Sequence, residues 1–83
     1  MTETFSKQVR AWRAQHPIAV YLDERGITRS DLAALLNVTR TSVNSWIGGA
    51  RISGEYLVQL RRMIPDFDKK VEAWRQASPL MKQ

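Results

Sequence analysis

The stretch Thr28-Arg-Ser-Asp-Leu-Ala-Ala-Leu-Leu-Asn-Val-Thr-Arg-Thr-Ser-Val-Asn-Ser-Trp-Ile-Gly-Gly49 contains two short helical blocks, each with a readable beginning and end. Thr28 suits an N-cap, and Asp31 three residues on completes a shortened capping box. The helix that follows is expected over residues 29–36, with Leu32, Ala33, Leu35 and Leu36 inward. Asn37 tolerates the left-handed conformation, so the chain can turn there. Val38 then points inward, Thr39 caps again, and a second helix is expected over residues 40–47. In it Val43, Trp46 and Ile47 recur at helical spacing. Gly48-Gly49 ends the block, and small Ala33 marks where the two helices cross.

Outward from this centre every segment reads as helix, and no alternating run is long enough for a strand. Pro17 suits the first position of a helix over residues 17–25, in which Ile18, Tyr21 and Leu22 share a face. Arg25-Gly26-Ile27 reads as its stop, with Gly left-handed and Ile27 folding back. Before it, Phe5, Val9 and Trp12 form a stripe over residues 4–15. After the centre, Ser53 is expected to cap residues 54–64, with Leu57, Leu60 and Ile64 inward and Met63 beside them. Pro65-Asp66 interrupts the chain, residues 67–77 form the last helix, and the four residues after Pro79 are expected to fray. The expectation is one all-α domain over residues 1–83, of five or six helices. Residues 17–64 form its core, and residues 1–16 and 65–83 flank it.

Eighty-three residues without cysteine leave a thin core, no disulfide and no thiolate metal site. A helix bundle or an oligomer is the usual remedy. No apolar run approaches the ~20 residues of a membrane span and no leader opens the chain, so a soluble, cytoplasmic protein is expected. Thirteen Lys and Arg, nine of them Arg, stand against eight Asp and Glu, a net charge of +5. Residues 37–54 hold two Arg and no acid. An acid-free basic stretch suits a surface lying against phosphates. Catalysis finds little footing. His16, the one histidine, sits at a helix junction where it serves as a cap or surface residue. Gly48-Gly49 lacks the spacing and Lys of a phosphate loop. No His/Asp cluster suggests a metal, so no cofactor, no small-molecule ligand and no enzymatic activity are expected.

Two short helices joined by a tight turn form a helix-turn-helix, whose second helix enters the DNA major groove. With Val43, Trp46 and Ile47 inward, 100° per residue turns Thr41 and Ser45 outward, flanked by Ser42 and Asn44. Arg40 projects from the first turn. Arg40 can pair with guanine, Asn44 with adenine, and Thr41 with a thymine methyl or a phosphate. These five are the expected base-reading residues. Arg29, Ser30, Thr39 and Arg51 are expected at phosphates, the first two beside the N–H groups that open their helix. Arg61 and Arg62 fit a solvated face as well as a phosphate contact. Arg10 and Arg13 lie along flanking DNA if their helix docks there.

Residues 28–49 resemble the helix-turn-helix of phage repressor and Cro-type regulators (lambda repressor-like, XRE-type). The family's Leu-Ala, Val, polar cap and Val…Trp fall here on Leu32-Ala33, Val38, Thr39, Val43 and Trp46. Asn37 replaces the usual turn Gly. Arg29 replaces the frequent Gln, so a charged contact is expected there in place of a Gln-type one. The resemblance covers about residues 17–64 and implies base contacts from the start and outer face of the second helix.

The flanks carry a further pattern. Residues 5–14 match residues 67–76 at six of ten positions, without gaps, at an offset of 62. Both place Phe, Val and Trp at the same spacing. Chance between two amphipathic helices accounts for this, or else both meet the same kind of groove, on each other or across a subunit interface. Phe5, Val9, Trp12, Phe67, Val71 and Trp74 are therefore the candidate dimer contacts. The expected protein is a small regulator of phage or mobile-element type. It binds double-stranded DNA as a homodimer at a near-palindromic operator, on the nucleoid of a bacterial or phage-infected cell. The alternatives are an excisionase-like or architectural DNA-binding factor, and an antitoxin-type protein-interaction module.

Overall fold

A computed structural model describes residues 2–79, in which six helices and no strand occur. They are α1 (Thr2–Ala14), α2 (Pro17–Arg25), α3 (Arg29–Leu36), α4 (Arg40–Ile47), α5 (Gly54–Met63) and α6 (Phe67–Gln76). The expected fraying after Pro79 lies outside the described residues.

Three consecutive helices end by one device. Gly26, Asn37 and Gly49 take positive φ of 67°, 57° and 110°. Behind them Ile27 N–H donates to the Leu22 carbonyl, Val38 N–H to Ala33 and Ala50 N–H to Ser45, at 3.1, 2.9 and 2.9 Å. Each bond closes a Schellman-type turn that satisfies a terminal carbonyl and folds the next residue back. Ile27 and Val38 accordingly pack against the core. The starts are equally local. Thr28 Oγ1 accepts from Asp31 N–H at 3.1 Å, and Asp31 Oδ2 accepts from Thr28 N–H at 2.9 Å. Those bonds, the backbone one foremost, hold the Asp31 carboxyl below its usual range. Thr39 Oγ1 accepts from Ser42 N–H at 3.1 Å. Ser53 occupies the N-cap of α5, but its side chain makes no capping bond. Ile64 is extended (φ −118°), as a residue before Pro must be, so α5 stops at Met63.

The core joins Ile18 and Leu22 of α2, Leu32, Ala33 and Leu36 of α3, Val43, Trp46 and Ile47 of α4, then Leu60, Ile64 and Phe67. Helices α3 and α4 make the most extensive helix contact, with Ala33 only 5% exposed. One inward expectation is corrected: Leu35 is 65% exposed. It lies about 100° around the helix from the centre of the Leu32–Ala33–Leu36 stripe, too far to share that face.

The flanking repeat becomes a contact inside the chain. Trp12 and Trp74 stack with ring centroids 3.9 Å apart and planes within 5°. Each indole N–H donates to the other residue's backbone carbonyl, both at 2.7 Å. Identical residues thus exchange identical bonds, a local two-fold arrangement between α1 and α6. The pairing corrects the expectation that Trp74 and Phe67 face a second copy. Trp12 covers Trp74, Phe67 enters the core, and the two are 5% and 2% exposed. Val71 packs against the core from α6. Phe5, Val9 and Trp12 are half-buried and stand apart from the main core.

His16 sits where these parts meet. It is 1% exposed, caps α2 by accepting from Ile18 N–H at Nδ1 (3.1 Å), and meets the Trp74 ring in a T-shaped contact, 4.4 Å between centroids. Burial, with the Arg75 charge adding to it, lowers its pKa from 6.5 to about 4. Below pH 6.5 the unfolded chain takes up a proton that the folded one refuses. Stability is therefore full above pH 6.5 and falls as pH drops toward 4, by ~3 kcal/mol for this group. Denaturant midpoints between pH 7 and 4.5 should show the fall, and His16→Asn, which keeps an acceptor at the cap, should flatten it.

Candidate nucleic-acid interface

Helix α4 is divided along its length. Val43, Trp46 and Ile47 are 0%, 6% and 2% exposed, and the Trp46 ring leans on Tyr56 at 5.6 Å. Thr41, Asn44 and Ser45 are exposed on the side turned away from that seam, and Arg40 is exposed at the first turn. Eight residues make too short a helix to persist alone, so the buried seam both stabilises α4 and sets which way its outer side faces.

The predicted site residues separate into groups. Arg29, at the first position of α3, donates from Nη1 to Asn44 Oδ1 at 2.7 Å, joining a predicted phosphate contact to a predicted base reader. Guanidinium only donates, so the Asn44 atom facing it is the amide oxygen and the NH₂ is left to point elsewhere. Ser42 stands apart from the outward set: it is half-buried, with its hydroxyl 3.1 Å from Thr39 Oγ1. It therefore serves the start of α4. Ser30 is exposed at the start of α3, where the Asp31 carboxylate already offsets the helix dipole. Arg51 is exposed in the loop between α4 and α5. Arg61 binds Asp68 Oδ2 at 2.8 Å, an exposed ion pair that ties α5 to α6.

Sequence spacing gave no sign of one further contact. Arg75 Nη1 donates to the Gly49 carbonyl at 3.1 Å, so α6 touches the end of α4. The two residues are 26 apart, and neither belongs to a local pattern. Among the described residues, no group of three or more His, Asp or Glu could hold a metal ion, and no helix is long and apolar enough to cross a membrane.

A capped two-helix unit, with a buried seam on its second helix and basic and amide side chains on the outer face, defines a helix-turn-helix DNA-binding protein. The helix-turn-helix family matches residues 18–64, and the chain belongs to that family, of the Cro/C1 type. The chain is also similar to the hydrolyase ccsE of Aspergillus clavatus, with 38% identity over 79 residues. That match takes in 87% of this chain and 18% of the fungal protein, so the chain spans less than a fifth of the relative's length. No solved structure matches the chain.

The caps can be tested without DNA. Thr39→Ala is expected to lower stability by about 1 kcal/mol, the usual worth of a Thr cap. Thr28→Ala should cost at least as much, because it also breaks up the capping box. Urea unfolding followed by helical circular dichroism measures both.

Proposed function

We propose that the chain is a sequence-specific transcriptional regulator of repressor type that reads an operator with the outer face of α4. The observation carrying this reading is the exposure of Thr41, Asn44 and Ser45 away from a fully buried seam, with Arg40 exposed at the first turn. Arg40, at the first turn, pairs with the O6 and N7 acceptors of a guanine. Asn44, its carbonyl oriented by Arg29, offers its NH₂ to a major-groove acceptor. Thr41 meets a thymine methyl or a phosphate, and Ser45 meets the groove further along. Thr39, Ser30 and the Arg29 guanidinium lie at one backbone, and Arg51 lies at the other side of the groove. Binding uses no cofactor, and repression is steric: an occupied operator excludes polymerase. The protein acts in the cytoplasm, on the nucleoid, and is not an enzyme. The fungal relative's hydrolyase name describes a protein more than five times the length of the matched portion.

One recognition helix reads only a few base pairs, so specificity calls for two copies about one DNA turn (~34 Å) apart. With Trp74 and Phe67 covered, the Phe5–Val9 side of α1 is the part of the original candidate surface left for that contact.

Selection of bound sequences from random duplex DNA should enrich one two-fold motif; recovery of no motif would remove the sequence-specific reading. On the selected site Arg40→Ala is expected to cost ~1–3 kcal/mol and relax choice at one base, while Arg51→Ala weakens all sequences alike. Equal losses from both variants on selected and random DNA would remove the base-reading assignment. Sedimentation at micromolar concentration should give a dimer, and Phe5→Ser with Val9→Ser should shift it to monomer. An unchanged mass discards the α1 contact.

A further inference from the structure

Between α4 and α5 the chain passes from Gly49 through Ala50 and Arg51 to Gly54. Two bonds hold the turn from within, Gly49 N–H to the Trp46 carbonyl and Ala50 N–H to Ser45. A third comes from α6, where Arg75 Nη1 reaches the Gly49 carbonyl. The Trp74 indole lies against the same glycine, since a Cβ built there would stand 3.7 Å from its Cη2. Trp74 is held in turn by the stack and paired bonds with Trp12 and by a T-shaped contact with His16. A continuous set of contacts therefore runs from α1 through α6 to the exit of the recognition helix. Arg51 follows two residues later, and Arg51 and Arg75 line one shallow cleft of about 300 Å³.

We propose that Arg75 is a positioning residue for DNA binding: by holding the Gly49 carbonyl it sets the loop that presents Arg51 to a backbone phosphate. This rests on the reading above in which Arg51 meets phosphate. A Gly-Gly-Ala turn is the most permissive backbone near the interface, and ordering it only when DNA arrives would cost affinity. The contact from α6 orders it beforehand. The competing role is direct, because Arg75 is itself an exposed guanidinium beside Arg51.

A double-mutant cycle separates the two. The selected duplex and a random duplex are titrated at several salt concentrations with wild type, Arg51→Ala, Arg75→Ala and the double variant. Positioning predicts that Arg75→Ala weakens both duplexes about 2–10-fold, the range of one hydrogen bond. The salt slope should fall by no more than in Arg51→Ala, and the double variant should bind no more weakly than Arg51→Ala alone. Losses that multiply, with the salt slope falling by about 2 in the double variant, make Arg75 an independent phosphate ligand and overturn the proposal. Wild-type affinity in Arg75→Ala also overturns it, as does a loss there with none in Arg51→Ala. Wild-type protein that does not distinguish the selected duplex would instead fail the functional reading itself, so the two failures are distinct.

Discussion

Burial of Val43, Trp46 and Ile47 against α3 is the constraint on which the rest of this molecule depends. An isolated eight-residue helix loses to the coil because nucleation costs more than so few hydrogen bonds return. Packed on Ala33 and Leu36, the same helix is held in one rotation. That rotation decides which side chains face solvent, and it makes Thr41, Asn44 and Ser45 a set, with Arg40 exposed at the helix start. Recognition chemistry follows from core packing, because the inner and outer faces of so short a helix cannot be chosen separately.

The surrounding architecture keeps that rotation from drifting. Repeated Schellman-type exits at Gly26, Asn37 and Gly49 reverse the chain within very few residues, and the Thr28 and Thr39 caps define where each next helix starts. Each device is local, so the order and phase of α2, α3 and α4 are set by bonds spanning five residues or fewer. The long-range contribution comes from α6. There Phe67 closes the core, Arg61 pairs with Asp68, and Arg75 and Trp74 meet the turn after α4.

Helix α1 joins this structure through a small number of specific contacts. Its indole stacks on Trp74 and exchanges hydrogen bonds with it, and the connection to α2 passes through buried His16. Burial first, and the Arg75 charge second, disfavour protonation of this imidazole, so the junction is packed around its neutral form. The same junction absorbs two large aromatic surfaces that would otherwise stand in water.

Helix starts, stops and the inward residues of α4 were legible in the chain itself, because capping and turn chemistry act over three to five residues and the helical period is fixed by the backbone. The bounds of α2, α3 and α4 came from the sequence without error, and so did the outward placement of Thr41, Asn44 and Ser45. Leu35 misled because hydrophobicity says that a residue gains from burial, whereas the angular width of the stripe says whether there is room for it. The Phe, Val and Trp repeat was visible as a pattern, yet whether it closed on itself or on another molecule depended on where α1 and α6 came to lie. The Arg29–Asn44 and Arg75–Gly49 bonds join residues 15 and 26 apart, with no local signature. Only tertiary packing could decide them, because side chains meet across helices at distances that no sequence period encodes.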